Sequence, residues 1–170
     1  GGAIHNLGTL KTVEHCQFNG NDAPIGGGAI YNEGTITIIA QCQFNGNEAP
    51  NVNGIGGSGG GAIYNVGTIT TIEQCQFNEN AAFQAKGGAI NNIAGTITVI
   101  KQCQFNKNGQ RYWQENGGAI NNEGSLYAID QCQFNNNRAA SPFDVNGEKI
   151  GGGAIYHKGL HALVLSNSIF

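Results

Sequence analysis

The chain has 170 residues, of which 11% are charged, with 8 Lys and Arg against 11 Asp and Glu. That length is one domain's worth. The net charge of −3 carries no basic stripe, which argues against a nucleic-acid partner. No run of 18 apolar residues is present, so no transmembrane segment is expected, and no charged leader or secretory apolar region is found.

Taken in order, the chain says one thing repeatedly. GGAI starts at Gly1, Gly27, Gly60, Gly87, Gly117 and Gly152. CQFNxN follows at Cys16, Cys42, Cys75, Cys103 and Cys132, and the last copy has Ser168 and Phe170 in place of Cys and Phe. From the first Gly to the Phe is 17 residues in four copies and 18 in the copies starting at Gly87 and Gly152. Between FNxN and the next GGAI the length varies: 5, 12, 6, 8 and 14 residues. A fixed piece with elastic joints is the signature of a stacked repeat. Residues 1–170 are expected to form one repeat domain, and its start and stop inside repeats suggest a fragment of a longer chain.

Within each fixed piece the elements follow from local pattern. GGAI opens with two glycines that disfavour helix and allow a bend. GTITII at Gly34–Ile39 alternates and is β-branched, so it reads as a strand. CQF alternates apolar, polar, apolar. Asn32 and Gly34 flank one turn, and Asn45 and Asn47 mark another, Asn tolerating left-handed backbone. Three short strands per copy, repeating every 26 to 35 residues, predict an all-β parallel β-helix. It should hold about six coils, with the variable loops at one corner and a length of about 25–30 Å at the strand spacing.

Stacking turns each repeat position into a column. Phe18, Phe44, Phe77, Phe105 and Phe134 should form an inward column, continued by Phe170, each contributing about 1.5–3 kcal/mol. The Ile of GGAI should form a second. In Gly27–Asn47, Ala29, Ile30, Ile36, Ile38, Cys42 and Phe44 are assigned to the interior. Thr35, Thr37, Gln41 and Gln43 are assigned to the surface. Cys16, Cys42, Cys75, Cys103 and Cys132 offer one thiol per coil, which suits small buried residues better than a converging metal set. Asn32, Asn65, Asn92 and Asn122 suit stacked amides that bond along the column, and an amide face could alternatively bind sugar.

Three other chemistries leave traces. Thr35 and Thr37, Thr68 and Thr70, and Thr96 and Thr98 form a flat Thr array like the surface of some ice-binding β-solenoids, interrupted by Lys11 and Tyr127. Glu14 and Glu73 are two coils apart, near the limit of a glycosidase carboxylate pair, of order 9.6 Å. Arg111, Tyr112, Trp113, Phe83 and Phe143 lie in the joints, where Arg and aromatics favour recognition. No metal, cofactor or catalytic set is expected.

GGAIYN with CQFNxN resembles the passenger regions of chlamydial polymorphic outer membrane proteins. It is also similar to a broader set of bacterial right-handed parallel β-helix surface proteins. The resemblance covers the whole chain and implies a right-handed β-helix at the cell surface, often adhesive. The expected function is a non-enzymatic structural or adhesive segment of an extracellular stalk or fibre. Expected partners are other copies or domains stacking on open β-helix ends, and a glycan or protein ligand on a host or other surface. The alternatives are a carbohydrate-binding or polysaccharide-cleaving β-helix, and an ice-binding one. The regular Cys before Gln-Phe departs from the family pattern.

Overall fold

The computed structural model describes residues 1–50, 59–82, 86–109, 117–139 and 152–170. All its strand pairings are parallel, and every pair joins equivalent positions of neighbouring copies. The result is an all-β parallel solenoid of about four turns. No helix among the described residues is long and apolar enough to cross a membrane.

Three sheets run along the axis. The first contains the strands Ile4–Asn6, Ile30–Asn32, Ile63–Asn65, Ile90–Asn92, Ile120–Asn122 and Ile155–His157. The second contains Thr9–Glu14, Thr35–Ala40, Thr68–Glu73, Thr96–Lys101, Ser125–Asp130 and Val164–Ser166. The third contains the five QFN strands, from Gln17–Asn19 to Gln133–Asn135. A two-stranded sheet, Glu48–Ala49 with Ala81–Ala82, extends the stack a short way into the joints.

The interior is a set of apolar columns. Phe18, Phe44, Phe77, Phe105, Phe134 and Phe170 stack with ring centroids 4.7, 4.7, 4.7, 4.8 and 5.0 Å apart. Successive planes lie within 6° of parallel. Near-parallel rings at that separation must be offset, which is the favourable stacked geometry. Ala29, Ile30 and Ile36 are fully buried, as are their equivalents in the next three copies.

The second sheet breaks strict alternation. Ile36 and Ile39 are both fully buried, while Ile38 is half-exposed. The pairing register skips Thr37 opposite Thr70 and resumes at Ile38 opposite Thr71. Two inward residues three apart require the strand to bend between them, because an unbent strand repeats every two residues. The interior assignment of Ile38 is therefore corrected to Ile39. Its column comprises Val13, Ile39, Ile72, Ile100 and Ile129, all buried.

The corners also differ from expectation. The left-handed residue is not Asn45 or Asn47 but the one between FN and N: Gly20, Gly46, Glu79, Lys107 and Asn136, with φ from 53° to 59°. A second left-handed corner falls at His15, Gln41, Gln74, Gln102 and Gln131, with φ from 51° to 54°. A non-glycine residue there costs roughly 1–2 kcal/mol. The second glycine of GGAI answers a different need, close backbone approach: a Cβ on Gly61 would collide with the Gly88 carbonyl oxygen and lie 2.5 Å from the Ala81 nitrogen.

These two glycine roles separate experimentally. Gly61→Ala should lower stability by at least about 2 kcal/mol, since rigid backbone must move. Gly46→Ala should cost only about 1 kcal/mol, because its Cβ would meet nothing within 4 Å and only the φ of 59° is unfavourable. Urea unfolding of the two variants checks the order.

Candidate functional site

The polar side chains that repeat are organised as ladders. In the first sheet, Asn6 Nδ2 donates to Asn32 Oδ1 at 2.7 Å, Asn32 to Asn65 at 2.8 Å, Asn65 to Asn92 at 2.8 Å and Asn92 to Asn122 at 2.6 Å. Asn122 Nδ2 donates to His157 Nδ1 at 3.0 Å, which ends the run of amides. Each of these amides also serves the adjoining turn; Asn65 Nδ2 reaches the Gly67 and Thr96 carbonyls. All five Asn are buried. A buried carboxamide left without partners would cost about 1–3 kcal/mol per unmet group.

A second buried ladder closes the FNxN corner. Asn21 Nδ2 donates to Asn47 Oδ1 at 2.7 Å, Asn47 to Asn80 at 2.8 Å, Asn80 to Asn108 at 2.9 Å and Asn108 to Asn137 at 3.0 Å. Asn47 Nδ2 also donates to the Phe18 carbonyl of the preceding coil at 2.9 Å. Each such Asn therefore ties together three successive coils.

The cysteines do more than fill space. All five are free thiols, Cys16 half-exposed and the other four buried. Each Sγ donates to the carbonyl two residues back, across the left-handed corner: Cys42 to Ala40 at 3.1 Å, Cys75 to Glu73 at 3.2 Å and Cys103 to Lys101 at 3.2 Å. The next Sγ along the axis accepts the backbone N–H of Cys75 and of Cys103, both at 3.5 Å. Ser168 takes over both duties: its Oγ accepts the Cys132 N–H at 3.2 Å and donates to the Ser166 carbonyl at 2.8 Å. Burial, followed by contact with its neighbouring thiols, pushes Cys103 well above the usual thiol range. A hydrogen bond with Cys75, followed by burial, raises Cys42.

The carboxylates are engaged elsewhere. Glu73 pairs with Lys101 at 2.8 Å. Asp130 accepts from Ser166 Oγ at 2.8 Å and Asn167 Nδ2 at 2.9 Å, donors that hold its carboxyl below the ordinary range. His5 stacks on Tyr31 at 4.7 Å and meets Glu33 at 2.7 Å on the outer surface. Thr37, Thr70 and Thr98 are exposed in successive coils, with exposed Lys11 and Tyr127 beyond them. Asn121 Oδ1 is a buried acceptor without a hydrogen-bond partner. Of the residues expected to form a recognition surface, Arg111, Tyr112, Trp113, Phe83 and Phe143 lie outside the described residues.

Gln41 and Gln43, both expected at the surface as outward amide ladders, repeat as two exposed rows, of which the Gln41 row bonds to itself. Gln41 Nε2 donates to Gln74 Oε1 at 3.1 Å, Gln74 to Gln102 at 3.2 Å and Gln102 to Gln131 at 2.9 Å. On the far edge of the third sheet, Asn45 donates to Asn19, Asn78 to Asn45, Asn106 to Asn78 and Asn135 to Asn106, at 2.8–2.9 Å. This last ladder runs opposite in direction to the others.

Ladders, bent strands and single-residue corners repeated in register define the class: a parallel β-solenoid repeat protein. Its repeat matches the family model described as the Chlamydia polymorphic membrane protein (Chlamydia_PMP) repeat, at residues 15–33, 41–66 and 131–158. The matches fit a parallel β-helix whose repeats are similar to those of the Chlamydia polymorphic membrane proteins. No curated protein and no solved structure matches it.

Two pairs of substitutions test the ladder chemistry. Cys103→Ser should cost less than about 1 kcal/mol and Cys103→Ala about 2 kcal/mol, since Ala leaves the buried Cys75 N–H unmet and the Lys101 carbonyl with the Gln74 N–H alone; a thiol that only filled space would give the reverse order in chemical denaturation. Separately, Asn65→Ala should cost about 2–3 kcal/mol by stranding Asn92 Oδ1 in the interior. Asn106→Ala on the outer ladder should cost under about 1 kcal/mol, because water replaces the lost partner, and thermal melts of the pair report the difference.

Proposed function

We propose that the chain is a non-enzymatic, adhesive and structural segment of a protein displayed at an outer membrane surface. The polymorphic membrane protein repeat carries this reading. Counting each copy as one coil gives a right-handed rod of about six coils, the hand that parallel crossovers nearly always take. Such a rod holds its outer faces and its joints at fixed intervals from the membrane, which suits a stalk.

Several observations support a role without catalysis. Glu73 is neutralised by Lys101, and Asp130 is held ionised by Ser166 and Asn167 rather than poised as an acid. The repeated buried amides are engaged in binding one coil to the next. The last described coil exposes Leu165, Ile169 and Phe170 at the end of the apolar columns. Exposed apolar residues and strand edges of this kind favour stacking against another copy or domain.

Beads coated with the 170-residue chain should bind cultured cells saturably, and soluble chain should compete them off. Equal attachment by beads carrying an unrelated β-solenoid would refute adhesion. Protease treatment of intact producing cells should remove the epitope if the segment is displayed.

A further inference from the structure

The third sheet and the left-handed corner before it carry three parallel columns of primary amides on the outer side of the solenoid. Two of them, the Gln41 row and the Asn45 row, are hydrogen-bonded within themselves along the axis. Between them lies the row Gln43, Gln76, Gln104 and Gln133, held in register by strand pairing and exposed in every coil. Among the described residues, no hydrogen bond engages these four side-chain amides. No charged residue occurs in any of the three rows from Gln41 to Asn135. The spacing is that of the Phe column on the opposite side of the same strands, 4.7–4.8 Å.

We propose that this face is a binding surface for a neutral, hydroxyl-rich polysaccharide lying along the solenoid axis. This deepens the adhesive reading and rests on it. A primary amide offers two donors and an acceptor within one planar group, which matches a pair of neighbouring hydroxyls. The rows themselves carry no charge, and the ions flanking them include the pairs Glu73 with Lys101 and Glu79 with Lys107, so the face offers no basic patch to sulfated or uronate chains and selects against them. The flanking rows bond to themselves and leave the middle row uncontested, on a rigid sheet that loses little freedom on binding. The face lacks aromatic platforms, so each contact is weak, and affinity comes from engaging several coils at once. A polymer with a regular rise can do that, whereas a mono- or disaccharide reaches only one or two coils.

The test is retardation of the intact chain in native gels containing hydroxyethylcellulose, mannan or dextran as neutral polymers, or heparin as the charged one. At least one neutral polymer should retard it, with no retardation by heparin. Replacing the middle row, Gln43→Ala with Gln76→Ala and Gln104→Ala, should weaken that retardation at least tenfold with an unchanged circular dichroism spectrum. Gln76→Glu alone, which keeps the shape and adds one charge, should weaken it several-fold, and serves if the triple variant misfolds. Retardation by heparin alone, by no polymer, or equally for wild type and Gln76→Glu would overturn the proposal. The bead assay separates the two readings. Beads that bind cells when no neutral polymer retards the chain leave adhesion standing and remove this face from it. Beads that bind no cells overturn the adhesive reading itself.

Discussion

A buried carboxamide has few adequate partners, and in this solenoid its partner is the same residue one coil away. Asn32 lies fully buried with its Nδ2 on Asn65 Oδ1, and Asn47 likewise on Asn80. The hydrophobic columns alone would tolerate many exchanges among Ile, Val and Leu, since apolar packing is not directional. The amides are not so permissive. A ladder fixes the position of each coil on the last to within a hydrogen-bond length, and it fixes register along the strands, where a one-residue slip would reverse every side chain. The near-identity of the copies therefore follows from a local requirement repeated: each coil must present to the next what the next presents to it.

The cysteine column shows the same logic at a corner. Gln41 and its equivalents adopt left-handed backbone, and the carbonyl two residues before each Cys accepts the corner N–H of the preceding coil with one lone pair and leaves the other for a donor inside. A donor of small volume is then needed inside, and a thiol provides one while remaining nearly apolar. Serine meets the same need at position 168. The strain at Gln41 is offset in part by its exposed amide ladder, which accounts for a long side chain at a site where glycine would be easier.

Much of this was legible in the sequence because repetition makes each position its own control. Six copies of GGAI and five of CQFNxN indicate the parallel stack, and the period-two pattern around Phe44 indicates the inward column. What stayed hidden were the bends. Nothing in TITIIA distinguishes Ile38 from Ile39, because both are β-branched and apolar; only the turn between Thr37 and Ile39 decides which enters the core. The left-handed corners were misplaced for a related reason. Asn is the residue expected there, but here Asn is consumed by ladders, and the strained positions go to whatever lies between, including Glu79 and Lys107. The second role of Cys was hidden because hydrogen bonding by sulfur leaves no compositional trace.

Self-bonding also decides where recognition can occur. A column whose amides already hold each other has little left to offer a ligand, so the buried Asn ladders and the Gln41 row belong to the scaffold. Function is then confined to what the repeat does not consume. On the faces, this is the row from Gln43 to Gln133, which lies between two bonded rows without joining either. Between the copies lie the joints, whose lengths range from 5 to 14 residues while the fixed pieces differ by one at most. The two are complementary in kind. The first repeats at a fixed pitch and suits a polymer, and the second is irregular and can vary without disturbing a single rung. A solenoid built this way separates the constraint of folding from that of recognition more completely than a globular domain, where one core serves both.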